Sequence, residues 1–185
     1  NREKLMVNIA DILEIPSLKR LRIIAGHGGM NRQVSTVSVM DAPDIYEWMK
    51  GGEFLITSGN PIKEDPDYLA TLIEKLDKHG ASAFGIKTER FIGMIPQEAI
   101  AAADRLNFPL IYIPMDFAFT DIINPVLEEV ISKQAIQLKF SQKIHQSFTE
   151  LALTEQPIEK LLESLQAIIH REVAFFDMQF IKLFI

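Results

Sequence analysis

Short apolar segments, separated by helical patterns, make up the first two thirds of the chain. Runs of apolar or β-branched residues with little alternation are typical of strands that are buried on both faces, as in a parallel sheet. Five segments have this pattern: "LRIIAG" (21–26), "VSTVSVMD" (34–41), "EFLITSG" (53–59), "AFGIK" (83–87) and "PLIYIP" (109–114). We therefore expect a mostly parallel sheet, in which these five segments lie side by side and run in the same direction.

Helical patterns lie between most of these strands. A short helix is predicted over Val7–Leu13, where Asn8 is a suitable N-cap. The segment 65–80 places four apolar residues on one helical face and ends at a glycine, and 96–107 begins with a proline and stops at an asparagine. Strands and helices that alternate at this spacing predict an α/β fold, with a mostly parallel sheet flanked by helices.

The pattern changes after residue 114, where strand signals are absent for more than 30 residues. This segment predicts one long helix over 121–155, with Pro125 in its first turn. Such a helix bridges two domains, pairs with a second copy, or folds back on its own domain. The expected organisation is an α/β domain over 1–120, a connecting or dimerising helix over 121–155, and the start of a truncated α+β domain over 156–185.

Composition and charge narrow the class of protein. The chain of 185 residues is 48% hydrophobic, has no cysteine and carries a formal net charge of −6. An acidic chain is a poor match for the phosphate backbone, so we expect no contact between this segment and nucleic acid. The absence of cysteine fits the cytoplasm, and no apolar run is long enough to span a membrane. The apolar ending "FIKLFI" predicts a piece of a longer polypeptide.

No catalytic or metal-binding constellation is evident. The four histidines are far apart and lack the spacing of a zinc motif. Ser58 has no nearby histidine that could activate it, and no Gly-x-Ser-x-Gly motif is present. The sequence therefore predicts no catalytic residue, no metal and no cofactor, and it does not favour an enzyme.

The segment "GHGGMNR" (26–32) follows a predicted strand, as a phosphate-binding loop would. A phosphate loop must open a helix, whereas here another strand-like segment follows. We interpret the segment as a glycine-rich hairpin turn.

Polar residues follow four of the predicted strands. In open parallel sheets, ligands bind beyond the carboxyl ends of the strands, where loops and helix N-termini gather. The residues at these ends are candidates for binding a small molecule: Asp41, Thr57, Ser58, Gly59, Asn60, Thr88, Arg90 and Asp116. A Gly-Asn turn is also ordinary at the end of a strand, so "TSGN" allows both a pocket and a simple turn.

Several of these segments together resemble the N-terminal domain of the purine catabolism regulator (PucR) family. The resemblance covers residues 6–126 and rests on "ADIL", "AGHGGMNRQV", "VMDAPDIYEWMKGGEFLITSG", "GIKTER" and "LNFPLIYIP". A weaker likeness to DRTGG-type regulatory domains is confined to "GMNRQV" and "GGEFLITSGN".

The resemblance implies a regulatory role. In that family such a domain precedes a long helix, a sensor-like middle domain and a C-terminal helix-turn-helix that binds DNA. It implies that this chain is the effector-sensing end of a bacterial transcription regulator, with a purine-related or other metabolite as effector. The chain is expected to form a homodimer through the 121–155 helix. The alternative hypothesis is a dimerisation scaffold that binds no ligand.

Overall fold

The strands and helices lie close to their predicted positions. A computed structural model describes residues 6–153, 158–169, 173, 175–176 and 182–184. The strands up to residue 112 are β1 (Val7–Asn8), β2 (Arg22–Ala25), β3 (Gln33–Val34), β4 (Thr36–Val39), β5 (Glu53–Thr57), β6 (Ala83–Ile86) and β7 (Leu110–Tyr112). The helices up to residue 153 are α1 (Ile9–Glu14), α2 (Tyr68–Lys78), α3 (Gln97–Leu106) and α4 (Thr120–Leu153).

A five-stranded sheet with the order β2-β7-β6-β5-β4 forms the centre of the fold. The four strands β4 to β7 run parallel to one another. β1 and β3 form a separate two-stranded antiparallel sheet, in which Val7 pairs with Val34. The predicted α/β class, with a mostly parallel sheet between helices, is confirmed.

The expectation that all five strands run the same way is wrong for β2. This strand lies at the edge of the sheet and pairs antiparallel with β7, so that Arg22 lies opposite Tyr112. An apolar run has the same local pattern in either direction, and its direction is fixed by the strand with which it pairs. The start of β2 therefore lies beside the end of β7.

The glycine-rich segment is not a hairpin turn, and this interpretation is corrected. β2 and β4 lie at opposite edges of the sheet, and a 3₁₀ turn over His27–Gly29 leads instead to β3. The backbone N–H of Gly26 donates to Asp104 Oδ1 at 2.6 Å. A Cβ at Gly29 would lie 2.0 Å from the backbone carbonyl oxygen of Asn107, so this close contact with the end of α3 requires glycine.

Helices cover both faces of the sheet. α2 and α3 pack on one face, where Leu69, Leu72, Ile73 and Leu76 are fully buried as the 65–80 pattern predicts. The first turns of α4 pack with α1 on the other face through Ile122, Val126 and Val130. Each fully buried leucine or isoleucine contributes about 1.5–3 kcal/mol of hydrophobic stabilisation.

The predicted long helix is confirmed as α4, although Pro125 is its sixth residue and lies in the second turn. The chain divides into two compact units after Gln134, within this helix. The second unit contains α5 (Ile158–Ile169) and an antiparallel pair formed by β8 (Phe175–Phe176) and β9 (Lys182–Phe184). The boundaries at 120 and 155 remain predictions, and residues 154–157, 170–172, 174, 177–181 and 185 of the predicted linker and second domain lie outside the described residues.

Candidate functional site

The carboxyl ends of β4, β5, β6 and β7 lie at one edge of the sheet. Their parallel registers pair Thr36 with Glu53, Phe54 with Ala83 and Phe84 with Leu110. Because neighbouring parallel strands end at the same border, the residues that follow them gather there. This border, the carboxyl edge, carries all of the candidate residues that the sequence predicts.

The segment Thr57–Asn60 forms a tight turn at this edge. Thr57 Oγ1 accepts a hydrogen bond from the Gly59 backbone N–H at 3.2 Å, and Ser58 Oγ accepts one from the Asn60 N–H at 3.3 Å. Gly59 has a φ of 85°, and Thr57 is fully buried. Both hydroxyl groups therefore stabilise the turn, in the manner of short Ser/Thr turns.

The loop after β6 packs against this turn. The Lys87 backbone N–H donates to the Thr57 carbonyl at 3.1 Å, and the Thr88 carbonyl accepts from the backbone N–H of Gly93 at 2.8 Å. Arg90 is exposed and lies over the ring of Phe91, with 5.0 Å between its guanidinium carbon and the ring centroid. Asp41, after β4, is also exposed. The structure thus brings the loops after β5 and β6 together.

Asp116 lies four residues beyond the end of β7 and forms an ion pair with Arg20, which precedes β2. Arg20 Nη1 and Nη2 donate to the two carboxylate oxygens at 2.7 and 2.9 Å. The Arg20 guanidinium also lies over the ring of Phe117, 5.3 Å from its centroid. The two hydrogen bonds from Arg20 hold the pKa of the Asp116 carboxyl below its ordinary value. The pair joins the reversed strand β2 to the segment that leads into α4.

Lys87 supports the same segment from the neighbouring strand. Its Nζ donates to the carbonyl of Met115 at 3.3 Å and to the carbonyl of Phe117, and it lies 5.0 Å from the ring centroid of Phe119. Its positive charge also contributes to the lowered pKa of Asp116. Lys87 therefore ties the end of β6 to the connection between β7 and α4.

A cleft of about 480 Å³ opens beside the Arg20–Asp116 pair. One wall is formed by the segments before β2 and after β7, and the other by the first two turns of α4. The lining residues are Ser17, Arg20, Asp116, Phe117, Thr120, Asp121, Asn124 and Pro125. Of the residues predicted from the sequence, only Asp116 lines this cleft.

Sequence reasoning missed Arg20, Ser17, Thr120 and Asn124. The rule that selects residues after parallel strands cannot find Arg20, because Arg20 comes before a strand and reaches this edge only through the reversal of β2. The helix residues could have been found from the expected start of the long helix immediately after β7.

The "GHGGMNR" segment serves a different part of the fold through Arg32. Its guanidinium donates to the carbonyls of Ala81, Leu106 and Asn107 at 3.2, 3.0 and 2.9 Å, and to Asp77 Oδ1 at 2.6 Å. It also lies 5.1 Å from the ring centroid of Phe108. These partners precede β6 and β7 or end α2 and α3, so Arg32 stabilises the edge opposite the cleft.

Within the described ranges, no group of three or more His, Asp or Glu residues is placed to hold a metal ion. A search of the same residues finds no helix with the length and apolar character needed to cross a bilayer.

The fold and its carboxyl edge define a mixed α/β domain in which a polar cleft adjoins the start of a long helix. Residues 11–130 match the model of the purine catabolism regulatory protein-like family, PucR. The chain is 33% identical over 171 residues to the "Purine catabolism regulatory protein" of Bacillus subtilis (strain 168), covering 92% of this chain and 32% of that protein. It therefore belongs to the purine catabolism regulatory protein-like family.

A second relative is the "Transcriptional activator PmfR" of Paenarthrobacter nicotinovorans. It is 25% identical over 177 residues, covering 96% of this chain and 37% of that protein. The chain thus spans about a third of the length of both relatives.

Proposed function

We propose that this chain is the effector-sensing part of a bacterial transcription regulator. It binds a small metabolite at the carboxyl edge and passes the bound state to α4. A downstream helix-turn-helix domain then contacts DNA, a division of labour that fits the acidic charge of the chain.

The observation that carries this proposal is the position of the cleft. Its walls include both the segment after β7 and four residues from the first two turns of α4: Thr120, Asp121, Asn124 and Pro125. A ligand that contacts both walls favours one arrangement of the helix over another, and the shift equals its difference in affinity for the two arrangements. The cleft therefore offers a direct physical link between binding and the helix.

The names of the relatives support the regulatory role and suggest the effector. One is named for the regulation of purine catabolism and the other as a transcriptional activator. We therefore take purines and their breakdown products as the first class of metabolites to test.

Thermal unfolding with and without metabolites tests the proposal. A ligand that binds only the folded chain stabilises it by mass action and so raises its melting temperature. At a free ligand concentration of a hundred times Kd, the free energy of unfolding increases by about 2.7 kcal/mol. Purine bases, ureides and unrelated amino acids are compared at equal concentration. A chain that responds to none of a broad set of metabolites contradicts the sensing role.

The second candidate function is a homodimeric scaffold without a ligand. It is favoured by four large apolar side chains on α4 that are between 48% and 62% exposed: Ile131, Ile136, Leu138 and Phe140. Exposed apolar residues along a helix are suited to pairing with a second helix. Sedimentation of Leu138→Glu against the control Gln137→Glu tests this surface, because only the former removes an apolar side chain. A dimer that survives Leu138→Glu unchanged contradicts pairing through this part of α4.

A further inference from the structure

Exposed apolar side chains of α4 fall on two sides of the helix. Successive residues of an α-helix are rotated by about 100°, so Ile131 and Leu138 lie within about 20° of each other around the axis. Ile136 and Phe140 are rotated from Ile131 by about 140° and 180°. Ile131 and Leu138 are 62% and 60% exposed, and they therefore form a narrow apolar stripe of their own.

This stripe points away from the core that the first turns of α4 help to form. Val126 and Val130 are buried in that core, and Ile131 is rotated from them by about 140° and 100°. Ala135 is also exposed and lies between Ile131 and Leu138 along the helix. We call Ile131, Ala135 and Leu138 the outer stripe. Its small central residue allows a second helix to approach closely.

One flank of the outer stripe carries two opposite charges. Glu128 and Lys139 are both exposed, and they are rotated from Ile131 by about 60° and 80° in the same direction. Among the residues that the structure describes, neither side chain has an ion-pair or hydrogen-bond partner. The opposite flank carries Gln134 and Ser141, which are uncharged.

The two flanks determine the direction in which a second copy of α4 fits. In a parallel pair related by a two-fold axis, each flank faces the opposite flank of the partner helix, so Glu128 and Lys139 meet uncharged residues. In an antiparallel pair, each flank faces the same flank of the partner, and Ile131 lies opposite Leu138 of the second copy. In that register Glu128 and Lys139 of the second copy are offset along the helix axis by only about 3 Å. Charge complementarity therefore favours the antiparallel pair.

We propose that two copies of this chain pair through the outer stripe with their α4 helices antiparallel, and that Glu128 of each copy pairs with Lys139 of the other. This inference rests on the second candidate function, the homodimeric scaffold, and adds the direction and register of the helix pair. The two-fold axis gives each dimer two such ion pairs and two contacts between Ile131 and Leu138. Because the contact is isologous, it closes after two copies and does not extend into a filament.

Charge reversal tests the direction of the pair. Sedimentation of the full chain gives the dimerisation constants of wild type, Glu128→Lys, Lys139→Glu and the double variant Glu128→Lys/Lys139→Glu. Each single reversal creates two like-charge contacts per dimer and should weaken dimerisation about tenfold. The double reversal restores opposite charges and should return dimerisation to within about twofold of wild type.

A matched control separates the charge contact from a general effect of charge. Gln137 is rotated from Ile131 by about 120° and lies outside the outer stripe and both of its flanks. Gln137→Glu adds a negative charge, as Lys139→Glu does, and should leave dimerisation within about twofold of wild type. Far-UV circular dichroism shows whether each variant is folded.

Cross-linking tests the register without any change of charge sign. The chain has no cysteine, so one introduced thiol reports on one position. Glu128→Cys and Lys139→Cys are treated with a short bifunctional maleimide, each alone and as an equal mixture. The mixture should give a covalent dimer. Each variant alone should give little, because its two thiols are about 20 Å (Glu128→Cys) or about 14 Å (Lys139→Cys) apart along the helix axis.

The other outcomes overturn the proposal in distinguishable ways. Single reversals that leave dimerisation unchanged, or a double reversal that dimerises no better than the single ones, overturn the antiparallel direction. A covalent dimer from either cysteine variant alone, and none from the mixture, overturns it as well. In both cases the homodimeric scaffold stands if Leu138→Glu still abolishes the dimer. A wild-type chain that stays monomeric overturns the pairing and the scaffold together and leaves the sensing function untouched.

Discussion

Replacing Arg32 tests whether the glycine-rich segment stabilises the edge opposite the cleft. Arg32→Ala removes four hydrogen bonds, three of them to carbonyls of Ala81, Leu106 and Asn107. It also leaves the Asp77 carboxylate without its ion pair, in which both side chains are only 25% exposed. The substitution therefore affects the ends of α2 and α3 and the entries to β6 and β7 together.

The expected loss in the free energy of unfolding follows from the number of hydrogen bonds that Arg32 makes. At a net value of about 1 kcal/mol each, the four bonds give a loss of about 4 kcal/mol in the free energy of unfolding for Arg32→Ala. Arg32→Lys keeps a positive charge, but a single ammonium group cannot reach all four acceptors, so we expect a loss of about 2 kcal/mol. The exposed Arg105–Glu74 pair provides the control, since Arg105→Ala should cost about 0.5 kcal/mol.

Hydrogen exchange at the backbone amides of β5 and β6 is the suitable assay, because it reports the first compact unit alone. Urea unfolding followed by circular dichroism supplies the global value. An Arg32→Ala variant within 1 kcal/mol of wild type, or one no less stable than Arg105→Ala, would refute the structural role of this arginine.

Two further predictions concern the carboxyl edge. Gly59→Ala should destabilise the fold by about 2–3 kcal/mol, because φ is 85° and the new Cβ would lie 2.8 Å from Ile92 Cγ1. The control Gly51→Ala should cost only about 1 kcal/mol, because φ is also positive there, at 92°, but the nearest atom to the new Cβ, the Gly80 carbonyl oxygen, is 3.7 Å away. Equal urea midpoints for the two variants would contradict the role of the close contact at Gly59. Asp116→Asn removes a carboxyl group whose pKa is lowered by Arg20. A depressed pKa stabilises the fold above the ordinary carboxyl value of about 4 and loses that effect as the pH falls through the folded value. The difference in melting temperature between wild type and Asp116→Asn should therefore be constant above about pH 5 and shrink below pH 4; a difference that grows on acidification would exclude this cause.

Much of the fold could be predicted because its signals are local. Asn8 has the side chain of an N-cap, and its Oδ1 accepts the Asp11 N–H at 2.9 Å while Asp11 accepts the Asn8 N–H at 3.0 Å. The buried face of α2 follows from the spacing of its apolar residues. The position of Asp116 at the carboxyl edge follows from its place shortly after the predicted strand 109–114.

The remainder depends on contacts between distant segments. Nothing within "LRIIAG" states the direction in which β2 will pair, and that direction alone brings Arg20 to Asp116, 96 residues further along the chain. Likewise, Arg32 shows its role only when the ends of α2 and α3 come together. This dependence on distant contacts explains why the sequence predicted the carboxyl edge but missed most of the residues that line the cleft.

Pro125 removes a backbone hydrogen bond near the start of α4. Proline cannot donate the N–H that would bond the carbonyl of Asp121, so the helix is weakened within its first two turns. Pro125 and Ser17 also border a second, larger groove of about 750 Å³, on the side of α1. Because Pro125 borders both spaces, a bend of the helix at this residue would change the shape of both of them at once.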